Sequence, residues 1–183
     1  MITPELENQC LDTFPEWLRT LAADALELSL LLKQNELPEY LRRYVGAALN
    51  YLFKSLDLIP DGIEDLGFLD DAFVMRVACR QALVGYPQGR DQKSVLTRLA
   101  AETKLIEELL DKDYERLTDY VAALRKSSAR GRSVDDIVDK EEIRDAFLDE
   151  MQGFASSYTA PTFSRDAKNI IKLQSFLNTR LPT

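Results

Sequence analysis

Apolar residues recur at three- and four-residue intervals along nearly all of this chain, the spacing that lines up one face of an α-helix. Trp17, Leu18, Leu21, Ala25, Leu28 and Leu32 make one stripe. Tyr40, Leu41, Tyr44, Val45, Ala48, Leu49, Leu52 and Phe53 make a second, and Phe68, Leu69, Ala72, Phe73, Met75 and Val77 a third. The expected fold class is therefore all-α, a compact multi-helix bundle with helical N- and C-terminal extensions. We divide it as an extension over residues 1–37, a helical domain over 38–87, and a C-terminal extension over 90–183 packed into the same overall domain.

Proline and glycine set the expected boundaries. TFPE at Thr13–Glu16 predicts one broken helix or two consecutive helices in the first 34 residues. Pro38 can start the next helix, which ends before DLIPDG because the residue preceding Pro60 is pushed out of helical dihedrals. A third helix is expected over Phe68–Val84, and GYPQG at Gly85–Gly89 is its stop.

From Gln92 to about Lys126 no proline or glycine interrupts helical character. Leu96, Leu99, Thr103, Ile106, Leu110, Asp113, Leu117, Tyr120 and Leu124 follow alternating three- and four-residue steps, a heptad-like seam broken by polar Thr103 and Asp113. The seam reads as an antiparallel hairpin with a neighbouring helix or as a homodimer interface. Leu105, Leu109, Tyr114 and Val121 widen the stripe and favour packing inside a bundle. SSARGRS follows as an exposed link, whose Arg130 and Arg132 are ordinary surface residues or contacts for a phosphate or an acidic partner. Ser133 then opens a helix through Met151, GFASSYTAPTFS is a loop, and Ala167–Leu177 a short terminal helix.

Composition removes several chemistries. The chain has 183 residues and no histidine, which excludes histidine acid/base catalysis, a Ser-His-Asp triad and the usual zinc enzymes. With 23 basic against 31 acidic residues the net charge is -8, which argues against a general nucleic-acid binder. Arg42, Arg43, Arg76 and Arg80 could form a local basic patch, but solvated helix faces are the favoured reading. Cys10 and Cys79 lack metal or redox spacing and are expected as free buried thiols. The amino terminus has neither basic leader nor long apolar run, and no segment has membrane-span form, so a soluble cytoplasmic protein is expected.

The stretch LDLIPDGIEDLGFLDD, Leu56–Asp71, carries six acidic residues and no basic one. Asp57, Asp61, Asp70 and Asp71 are the candidate ligands for magnesium or calcium, hard cations that take several converging oxygens. Against this, the spacing is not that of an EF-hand, Pro60 separates Asp57 from Asp61, and adjacent Asp70 and Asp71 point in different directions on a helix. The favoured reading makes Asp70 and Asp71 a helix start, one of them capping free amides. No cofactor is expected on that reading.

YLFKSLDLIPDGIEDLGFLDDAFVM, Tyr51–Met75, resembles the YkvA-like bacterial domain of unknown function. The resemblance rests on Tyr51, Asp57, Leu58, Ile59, Pro60, Asp61, Gly67, Phe68, Leu69, Asp70 and Asp71, and spans roughly Pro38–Val84. Ser55 departs from it, standing where the family commonly has a proline. The resemblance implies a compact helical hairpin unit and supplies no activity or cofactor. Membrane-associated relatives make peripheral membrane contact, through Phe68–Tyr86, a further expectation.

The function expected from the sequence is a non-enzymatic cytoplasmic interaction or scaffold protein, with an unknown protein partner or self-association through residues 92–126. The alternatives are a divalent-metal-dependent carboxylate enzyme and a reversibly membrane-associated protein.

Overall fold

A computed structural model describes residues 1–55, 57–87 and 94–183. Leu56, and the expected boundary and helix start at Gln88, Gly89 and Gln92, lie outside the described residues. The helices run α1 Pro4–Leu30, α2 Glu39–Tyr51, α3 Leu69–Val84, α4 Val95–Leu110, α5 Asp113–Leu124, α6 Val134–Asp139, α7 Glu141–Ser157 and α8 Ala167–Arg180. A small antiparallel hairpin, β1 Ser128–Ala129 and β2 Arg132–Ser133, joins α5 to α6.

α3 is the axis of the bundle. Thirteen of its sixteen residues are buried, so it is enclosed all round in the manner of a central helix, with Asp70, Asp71 and Arg76 among the buried side chains. α4 and α2 pack most extensively against it, with α5 and α1 completing the enclosure. One cluster of buried apolar side chains runs from Cys10 to Leu181 and draws on every α-helix. Each fully buried leucine, valine or phenylalanine in it contributes about 1.5–3 kcal/mol of transfer free energy.

Pro15 does not break α1. Its ring removes one helical hydrogen bond and disfavours the helix by roughly 3 kcal/mol. Phe14 and Trp17, on either side, are buried with ring centroids 5.3 and 5.9 Å from Phe73 of α3, and this packing keeps the helix continuous. Thr3 caps the start, accepting from Leu6 N at 3.2 Å.

The segment expected as one helix from Gln92 is two helices. Asp111, at φ 50°, turns the chain between α4 and α5. α8 braces the corner: the Gln174 amide donates to the Leu109 carbonyl at 3.0 Å, and Asn178 donates to Asp113 at 2.9 Å. The turn lets Leu109 and Leu110 on one side and Leu117, Val121 and Leu124 on the other face a common interior. A second break stands at Lys140, between α6 and α7, where Arg144 donates to the freed Val138 carbonyl at 2.7 Å. Ser133 caps α6 as expected, accepting from Asp136 N at 3.0 Å. The Ser-rich basic link is the hairpin, turned by Arg130 and Gly131 at φ 51° and 74°, the pair of positive φ values a two-residue turn requires.

Candidate metal centre

The 17 residues between α2 and α3 form a connector anchored by buried Leu58, Ile59 and Leu66. Some of its amides are satisfied locally, Ile63 N donating to Pro60 O and Gly67 N to Ile63 O, each at 3.0 Å. Gly67 is required by close approach: a Cβ there would lie 2.2 Å from the Asp61 carbonyl oxygen. That contact brings Asp61 back toward the start of α3.

Asp70 and Asp71 do not cap α3. The cap is Phe68, in the left-handed region at φ 67° and with no side-chain hydrogen bond, and the two aspartates lie within the first turn. Asp70 instead holds the connector, its Oδ2 accepting from Tyr51 Oη at 2.6 Å and from Ile59 N at 3.1 Å. Tyr51 in turn accepts from Leu58 N at 2.8 Å. Phenol, carboxylate and two connector amides thus form one closed network.

Asp70 and Asp71 are 0% and 1% exposed, and Oδ1 of Asp70 and Oδ2 of Asp71 have no hydrogen-bond partner. Carboxylate oxygens of Asp61, Asp70 and Asp71 lie within 4.8 Å of one another. The adjacent aspartates therefore converge despite their different directions on the helix, because α3 is enclosed on all sides and Asp61 reaches them from the connector. Asp57 stands outside this trio, with its own Oδ1 buried and unpartnered. Asp65 is turned elsewhere, accepting from the amide and hydroxyl of Ser164, both at 2.9 Å.

Like charges at such separations repel by about 3–4 kcal/mol per pair at an effective dielectric of about 20. The titration behaviour follows: burial, then the neighbouring carboxylates, push Asp71 well above the ordinary range. Burial also raises Asp70, opposed by the bonds from Tyr51 and Ile59. The Asp57 carboxyl is pushed up to about 7, first by burial, then by Asp70 and Asp61, with Lys54 opposing. Such a group is neutralised either by protons or by a cation. An all-oxygen set suits magnesium, manganese or calcium.

Aromatic side chains wall the centre. Burial raises the phenols of Tyr51, Tyr120 and Tyr158, and the carboxylate charges raise all three further. Tyr120 meets Tyr51 edge to face at 6.3 Å, and Tyr158 meets Phe68 at 5.4 Å while donating to the Leu18 carbonyl at 2.6 Å. Tyr120 belongs to the expected seam, and Tyr158 to the expected loop GFASSYTAPTFS, whose first five residues are instead the end of α7, packed through Phe154 against Phe53 and Phe68. Nothing in local spacing links residues 51, 120 and 158.

The seam faces inward. Leu96, Leu99, Thr103, Ile106, Leu110, Leu117 and Leu124 are buried within the chain, whereas Asp113 and Tyr120 are partly exposed. Its polar interruptions have internal partners: Thr103 donates to the Arg76 carbonyl at 3.0 Å, and Asp113 pairs with Arg116 at 2.7 Å. The four arginines form no patch, and of the expected solvated faces only part-exposed Arg80 fits. Arg76 is fully buried, 3.9 Å over the Trp17 ring and bonded to Glu102 at 2.8 Å. Arg42 is buried as well, Arg43 pairs with Asp135 and Asp139, and Arg80 with Glu107. Cys10 and Cys79 are buried free thiols. The apolar side chains of α3 expected to meet a membrane are already in the core apart from Val84 at its end, which is exposed, and among the described residues no helix is long and apolar enough to cross one.

The segment that builds this centre begins on α2 and ends midway along α3. Residues 42–76 match the model of a family described as a protein of unknown function, DUF1232. The DUF1232 segment contains Tyr51, Asp57, Asp61, Gly67, Asp70 and Asp71, so the carboxylates, the phenol and the close-packed glycine fall inside the match. Tyr120 and Tyr158 fall outside it. No curated protein and no solved structure matches the chain.

Proposed function

We propose that this chain is a non-enzymatic helical module that binds one divalent cation through Asp61, Asp70 and Asp71, with Asp57 beside them. The observation that carries the reading is the pair of orphaned oxygens: Asp70 Oδ1 and Asp71 Oδ2 are buried without partners and belong to the same carboxylate group as Asp61. A buried anionic oxygen without a partner carries a large desolvation penalty, and a hard cation held among the three carboxylates would remove it for Asp70 and Asp71. The ion would tie the connector to the first turn of α3, fixing the two central helices relative to one another. A static role of this kind asks for no acid, base or nucleophile.

Calorimetric titration of metal-free protein with magnesium, manganese and calcium tests the reading. Heat with a stoichiometry of one, lost in Asp71→Asn, is the expected result. Absence of both heat and thermal stabilisation with all three ions removes it. An interaction role, with a protein partner or a second copy, suits a bundle braced in this way. The apolar seam along α4 and α5 is already used inside the chain, so a second copy would have to meet another surface; light scattering across concentration tests self-association, and a strictly monomeric particle removes that version.

A further inference from the structure

A cavity of about 530 Å³ opens beside the carboxylate group, lined by Leu52, Phe53, Lys54, Ser55, Asp61 and the hairpin residues Ser128 to Arg130. Asp61 belongs both to this cavity and to the metal centre, and it is the exposed member of a trio whose other two are buried. Asp61 is thus the point at which the cavity meets the carboxylate group. Its other charged groups are cationic: Lys54 stands in the connector three residues past α2, and Arg130 at the tip of the hairpin. Neither is tightly held. Lys54 Nζ is 3.5 Å from the Tyr120 hydroxyl, and Arg130 is 3.4 Å from Glu150 with its guanidinium 4.9 Å over the Phe53 ring.

We propose that this cavity binds a phosphate monoester, whose phosphoryl oxygens complete the shell of the divalent cation while pairing with Lys54 and Arg130. The proposal rests on the cation reading above. Magnesium and manganese are commonly shared between one or two carboxylates and a phosphate, and two cationic side chains match a phosphate dianion where they would not match a neutral ligand. The apolar wall of Leu52 and Phe53 takes the organic part of the ester, and the volume is that of an ordinary small-molecule site. The ester group has two sources, a soluble metabolite or the headgroup of a phosphatidic acid, which present the same oxygens to the site.

The test uses the full chain with manganese, followed by its paramagnetic resonance, and two probes: phenyl phosphate in solution and phosphatidic acid in phosphatidylcholine vesicles. The expected result is binding of at least one probe by the manganese-loaded protein, weakened about tenfold or more without manganese and about tenfold in Lys54→Met and in Arg130→Met. In both variants manganese binding and melting temperature should hold. Phenyl phosphate binding points to a soluble ester, and vesicle binding alone to the lipid headgroup. Manganese bound normally with both probes silent overturns this inference and leaves the cation reading standing, as does probe binding indifferent to manganese. Failure to bind manganese overturns this inference, and the cation reading falls with it when magnesium and calcium also fail to bind.

Discussion

The Tyr51 hydroxyl donates a 2.6 Å hydrogen bond to Oδ2 of Asp70, joining the last residue of α2 to the first turn of α3 across nineteen positions of sequence. The same hydroxyl accepts from Leu58 N, so one phenol sets the connector and aims the other oxygen of Asp70.

Tyr51→Phe keeps the ring and removes both bonds, leaving a buried amide and a carboxylate short of a donor. The variant should lose about 1–3 kcal/mol of stability by denaturant titration. Its manganese affinity should fall as well, because Asp70 is no longer held in place.

Asp71→Asn should act with opposite sign in two conditions. In metal-free protein at neutral pH it removes a carboxyl that can be buried only by bearing like-charge repulsion or by taking up a proton, and should raise the melting temperature by about 2–4 °C. With saturating magnesium it should melt below the parent, having lost the stabilisation that the ion brings. Melts of both proteins with and without magnesium decide the matter.

The metal-free protein should grow less stable as pH rises from about 4 through 7. The folded carboxyls of Asp57, Asp70 and Asp71 are raised above their ordinary values, so in this window the native state binds more protons than the unfolded chain. Stability then falls with increasing pH, and the loss is complete above the raised values. Saturating divalent cation should reduce or reverse that slope, as melts across pH would show.

Gly67→Ala places a methyl against the Asp61 carbonyl and must move the connector. Overpacking of this kind costs about 1–3 kcal/mol. Manganese affinity should drop together with stability. Gly62→Ala is the control, since a Cβ there meets nothing within 4 Å, and it should change neither.

The periodicity of the sequence carried the helical class because a central helix and its neighbours repeat apolar residues however they are arranged. Helix ends were harder to read. Pro15 reads as a break but is overruled by Phe14 and Trp17 packing on Phe73, and Asp111 turns the chain without the glycine that usually marks such a bend. At the site, the spacing exposed the carboxylates but assigned Asp70 and Asp71 to their own helix, because a cap is a local pattern. Their actual partners, Tyr51, Ile59 and Asp61, come from the preceding helix and connector, and Tyr120 and Tyr158 from far along the chain.

Ser164 holds the connector through both of its bonds to Asp65, and Tyr158 closes on the Leu18 carbonyl from the same loop. Residues 42–76 are in this sense a guest sequence. Excised from this chain, they would keep every acidic side chain of the trio and lose the strap that restrains the connector, along with two of the three phenols around it. What this chain adds to the shared segment is a custom housing, and differences among proteins that carry the segment should be sought in the loop and helices that close over it.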